Sequence, residues 1–142
     1  MLQAAIDLLR REELTCVILG REETLKFRLR GIRPMTDTLR DRPEALKGAV
    51  IADRIIGKAA AMLAVAGGAK AVYGEVMSEA GLQMLTAHGV KAQYGTLTPA
   101  IRNRENTGLC PMEQTVLTLD DPHDALPALL QTLTRLSGKT AL

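Results

Sequence analysis

Twelve consecutive residues, Ile55-Ile56-Gly57-Lys58-Ala59-Ala60-Ala61-Met62-Leu63-Ala64-Val65-Ala66, carry a single charge among them. A helix that is apolar around its whole circumference is stable only when other elements cover it on every side. The stretch therefore predicts a central buried helix, and the rest of the chain must be layered around it. Gly67-Gly68 ends that helix and Asp53 is placed to cap its start. Gly57 in a helix interior costs up to about 1 kcal/mol relative to Ala. Close approach of a neighbouring backbone or of a ligand would account for it.

The covering elements follow from hydrophobic period. Residues 2–12 predict a helix with Leu2, Ile6 and Leu9 on one stripe. Thr15-Cys16-Val17-Ile18-Leu19 suits a strand buried on both faces. After a turn at Gly20–Glu23, Leu25–Arg30 alternates strictly, with Leu25, Phe27 and Leu29 inward and Lys26, Arg28 and Arg30 outward. The two runs predict a hairpin. Residues 31–48, punctuated by Gly31, Pro34, Pro43 and Gly48, read as irregular.

Ala71–Val76 is the next expected strand, and Ser78 caps a helix that turns Leu82 and Leu85 inward and runs to His88 before Gly89 stops it. Val90–Tyr94 alternates as a strand, and Thr96–Ile101 is a further strand that Pro99 confines to an edge. A polar loop, Arg102–Gly108, precedes a helix from Pro111 to about Leu119. The last helix starts near Leu126–Pro127, after a turn at Pro122, and packs Leu126, Leu129, Leu133 and Leu136. The order α-ββ-α-β-α-β-(β)-α-α predicts an α/β protein of three layers, a mixed sheet covered by helices.

The length, 142 residues, predicts one domain over residues 1–142, because cores usually divide only beyond roughly 250–300 residues. No apolar run approaches the ~20 residues of a bilayer span, so no membrane partner is expected. The opening Met1–Asp7 lacks the basic head and apolar middle of a secretory signal. Cys16 and Cys110 make no disulfide framework, and together these features predict a cytoplasmic protein. Net charge is +2, unevenly spread: residues 24–58 hold nine Lys/Arg against four Asp/Glu, and residues 59–142 hold six against seven. Such a local excess attracts small anions. Three aromatics and no Trp supply a poor stacking platform, so a nucleic-acid polymer is not an expected partner.

Thr107-Gly108-Leu109-Cys110-Pro111-Met112-Glu113 is the most informative segment for chemistry. Pro111 suits the first helical position, which puts Cys110 at the cap and Glu113 where a capping box has its acid. A thiol beside exposed helix-start N–H groups has its anion stabilised, so Cys110 is a candidate nucleophile, with Asp53 or Glu113 as proton carrier. An inert packed cysteine and a metal ligand are the other readings of the same residue. Arg33 and Lys58 belong to the basic stretch, and Lys58 sits near the central helix start. Glu75 and Ser78 follow a strand, where α/β sheets often place function. Arg102, Asn103, Arg104 and Asn106 are loop donors suited to phosphate or sugar. His88 and His123 have no partner at ligand spacing, so no metal site and no cofactor is predicted. Gly57-Lys58 lacks the remaining residues of a phosphate-binding P-loop.

Gly31-Ile32-Arg33-Pro34, Lys47-Gly48-Ala49-Val50-Ile51-Ala52-Asp53, Gly57-Lys58-Ala59-Ala60 and Thr107–Gln114 together resemble a prokaryotic domain-of-unknown-function family with a cytidine-deaminase-like fold, over about residues 1–120. Zinc deaminases place His-Ala-Glu at one helix start and Pro-Cys-x-x-Cys at another. The resemblance sets Ile51-Ala52-Asp53 against the first motif and puts Glu113, or Met112 and Thr115, where thiolates are expected. Neither register offers three metal ligands, so the zinc motif is degenerate and zinc-dependent deamination is not expected. What the resemblance implies instead is two helix starts facing one pocket, suited to a small anionic, nucleotide-like ligand. Oligomerisation through helices is implied in the same way. The other functional readings are an enzyme dependent on Cys110 and a structural or partner-binding protein.

Overall fold

The computed structural model describes residues 1–141. In chain order the elements are α1 (Leu2–Arg11), β1 (Cys16–Leu19), β2 (Thr24–Phe27), α2 (Arg33–Asp41), β3 (Val50–Ile56), α3 (Lys58–Gly67), β4 (Ala71–Ser78), α4 (Glu79–Ala87), β5 (Lys91–Thr98), α5 (Pro111–Val116) and α6 (Ala125–Ala141). Single 3-10 turns occur at Pro43–Ala45 and Pro122–Asp124. The strands form one mixed sheet in the order β2-β1-β3-β4-β5. β1 is antiparallel to both of its neighbours, while β3, β4 and β5 run parallel.

Side chains two apart on a strand share a face, and the central strands bury both faces. Val17, Val50, Ala52, Ala71 and Tyr73 pack under α1, whose stripe Leu2, Ala5, Ile6 and Leu9 closes a first core. The alternate residues Cys16, Ile18, Ile51 and Val72 face the other way, into a larger core with α3 at its centre. Residues Ala59 to Ala64 of α3 are all buried there. The molecule is thus a three-layer α/β structure, and the fully apolar helix lies where its composition requires. Among the described residues no helix is long and apolar enough to cross a membrane.

Several boundaries differ from the sequence expectations. Asp53 does not cap the central helix: it lies in β3, four residues before the cap. The β-branched residues Val50, Ile51, Ile55 and Ile56 favour the strand, and Gly57, extended at φ −98° and ψ −170°, separates it from α3. Residues 31–48 contain α2, because Pro34 falls in the first helical turn, where its missing N–H costs nothing. Strand β2 stops at Phe27, and Leu29 is 45% exposed instead of inward. There the Thr15 hydroxyl bonds the carbonyls of Phe27 and Leu29. β5 is one continuous strand and not two, and its edge position agrees with Pro99 following it. Ser78 does cap α4, accepting from the Gly81 N–H at 3.0 Å.

Candidate functional site

Ligands of open α/β sheets bind beyond the carboxyl ends of parallel strands. At that end of β3 lies a cavity of about 560 Å³, within the usual range for small-molecule sites. Three segments wall it: the β3–α3 junction, the Arg30-Gly31-Ile32 turn before α2, and the run from Ile101 to Glu113 that leads into α5. Ile32, Ile55, Ile101 and Met112 make it largely apolar, and Arg30, Arg102 and Arg104 bring positive charge.

Asp53 and Glu113 are the buried charged residues that line this cavity, and Asp53 is 8% exposed. Strand parity turns its side chain to the same face as Ile51, and the β1–β3 register sets it opposite Cys16. Burial raises its carboxyl from the usual range to about 7, partly offset by hydrogen bonds from the Ile55 N–H, the Cys16 thiol and the Arg54 N–H, and by the Arg54 charge. The bond from Ile55 N–H to Oδ1 is 3.1 Å long. Burial likewise pushes the Cys16 thiol well up, and the adjacent Asp53 pushes it further. Cys16 is therefore held as a thiol that donates to the carboxylate.

Glu113 does something the capping-box expectation did not anticipate. Cys110 is the N-cap of α5 but makes no side-chain cap hydrogen bond. Glu113 reaches instead across to α3, where Oε1 accepts from Lys58 N–H at 2.7 Å and Oε2 from Ala59 N–H at 2.8 Å. A carboxylate from one helix thus satisfies the orphan donors and complements the positive end of another. Gly57 is required for that approach, since a Cβ there would fall on the Glu113 carboxylate. The close neighbour expected of Gly57 is this side chain. The two helix starts do meet, but that of α3 is already filled by the protein's own anion.

The other candidates separate into two groups. Cys110, half-buried, lines the cavity with Asp53, Glu113 and Arg102. Within the loop, Arg102 Nε donates to Asn106 Oδ1 at 2.8 Å, and Asn103 exchanges bonds with Thr107, so the asparagines mainly shape the loop. Arg33, Lys58, Glu75 and Ser78 do not line the cavity. Arg33 faces Asp37 on its own helix, and Lys58 Nζ donates to the Leu117 carbonyl at 3.2 Å. Glu75 pairs with Arg54 at 2.8 Å, and Ser78 is occupied by its cap. The sequence does not mark Thr15, Cys16 or Arg30 as site residues. Arg30 reads in the sequence as an outward strand residue within the basic excess, and Cys16 carries no local signal of a site, because its meeting with Asp53 is a matter of strand register.

The family model described as "Domain of unknown function (DUF1893)" matches residues 4–133. Among solved structures, the chain is similar to a DUF1893 family protein, TM1506, from Thermotoga maritima, with a TM-score of 0.82 and 21% identity over 92% of this chain and 88% of that one. No curated protein matches. With a sheet, three layers and a model match over nearly its whole length, the chain belongs to the DUF1893 family.

Proposed function

We propose that this protein binds a small anionic, nucleotide-like ligand in the cavity between β3 and α5, as a single deaminase-like domain whose metal position has been given to a carboxylate. The observation that carries this reading is the composition of the cavity wall. A buried carboxyl, Asp53, sits among apolar walls, with Arg30, Arg102 and Arg104 also contributing to the lining. A planar base fits between Ile and Met side chains with its polar edge toward Asp53, while phosphate oxygens meet guanidinium groups. Arg30 and Arg104 have no hydrogen-bond or ion-pair partner among the described residues, so their donors are available.

The meeting of the α3 and α5 starts supports the deaminase-like part of the reading. Zinc deaminases hold their metal between two helix starts. Here Glu113 spans that gap, and both of its oxygens are engaged by backbone N–H groups. The residues Asp53, Cys110 and Glu113 therefore make a poor ligand set for a metal.

Thermal-shift and calorimetric titration with nucleoside mono-, di- and triphosphates, beside the parent nucleosides, tests the proposal. A phosphorylated ligand at about 100 times its Kd stabilises the fold by about 2.7 kcal/mol. Arg30→Ala and Arg104→Ala each weaken binding about tenfold or more while leaving the unliganded melting temperature nearly unchanged, as loss of a charged hydrogen bond requires. If no phosphorylated compound raises the melting temperature, the reading is wrong.

A further inference from the structure

The two edges of the sheet are built differently. β2, at one edge, has four residues, carries Lys26 and continues into Arg28 and Arg30. Short strands and lysines are the usual means of preventing an edge from pairing with another chain. β5, at the other edge, has eight residues, and from Ala92 to Thr98 it carries no charge, no proline and no break. Gln93 to Leu97 are exposed without interruption, so neither face of the strand is covered there. Tyr94 is 42% and Leu97 37% exposed. Among the described residues, no backbone group of 92–98 bonds outside the β4–β5 ladder. One row of N–H and C=O groups is therefore left open along this strand.

We propose that β5 is a homotypic interface: the β5 edges of two copies pair antiparallel about Gly95, joining two five-stranded sheets into one of ten. The sequence is compatible with itself in that register. Tyr94 faces Thr96 of the other copy, Gln93 faces Leu97, and Ala92 faces Thr98, so no like charges oppose one another. Lys91, the one charge on the strand, meets Pro99 and not a second lysine. The pair is isologous and closes at two copies, because the outer edges of the joined sheet are then the blunted β2 strands. A second copy is favoured because the edge complements itself: Tyr94 opposite Thr96, an aromatic side chain against a β-branched one, occurs twice across the dyad.

Sedimentation velocity across a dilution series from micromolar to hundreds of micromolar reads the prediction directly. The full chain is expected to dimerise reversibly. The variant Tyr94→Lys with Thr96→Lys opposes two lysine pairs across the dyad and weakens the dimer about tenfold. Tyr94→Lys with Thr96→Glu turns the same two positions into opposite-charge pairs and restores association. Both positions are exposed, and circular dichroism verifies that each variant is folded. A wild-type chain that stays monomeric overturns the proposal, as does a dimer equally strong in all three proteins. Neither result bears on the cavity, which lies between β3 and α5.

Discussion

Asp53 is a carboxyl whose folded environment disfavours its charge. Its folded value, about 7, lies above the ordinary 3.8, so between those pH values the folded state binds more protons than the unfolded one. Stability from this group is fully present below about pH 4 and falls as the pH rises toward 7, by an amount on the order of 4 kcal/mol. Asp53→Asn keeps an oxygen for the Ile55 N–H and removes the titration. The expected result, from urea unfolding at a series of pH values, is that the variant gains on the wild type steadily between pH 4 and 7 and not beyond. A constant difference across that range would show that Asp53 is not the titrating group. The same residue could be picked from the sequence as chemically interesting, but for the wrong reason. As a helix cap it would have been solvated, and as a strand residue opposite Cys16 it is buried.

At the scale of elements, the junction of α3 and α5 is a reciprocal fit between a missing side chain and a present one. Gly57→Ala puts a methyl group on the Glu113 carboxylate and destabilises by about 1–3 kcal/mol through overpacking. Glu113→Ala leaves the Lys58 and Ala59 N–H groups without their acceptor, at a similar cost. Combining them is expected to cost less than the sum, because the methyl group occupies space the carboxylate has vacated. Chemical denaturation of the four proteins checks this, and strict additivity would refute the contact. Helix α2 is instructive in a different way. Its proline reads as punctuation when the sequence is scanned for breakers, yet at a helix start proline is favourable. Local rules did recover α1, α4, the β1–β2 hairpin and the Ser78 cap, because each depends on period or on a neighbour within a few residues.

For the whole molecule, the sheet divides the interior into two unequal cores. Among the described residues the smaller is closed by α1 alone, and Leu9 is fully buried in it. Leu9→Ala is therefore expected to cost about 2–5 kcal/mol, since no second helix can settle into the cavity. Equilibrium unfolding in urea measures it, and a loss below about 1 kcal/mol would show that the α1 layer contributes little to the fold. Much of this architecture follows from sequence pattern. Continuous apolar runs bury strands on both faces, alternation turns β2 toward one core, and a helix without a polar side has to lie at the centre. Those are consequences of water leaving apolar surface, and they act on whatever partner is nearest. The identity of the partner is another matter. That Cys16 meets Asp53, that Glu113 serves a helix 54 residues away at Ala59, and that Arg30 joins Arg104 around one cavity depend on strand register and layer packing. Those meetings are long-range. No spacing along the chain encodes them, and only the assembled sheet brings them about.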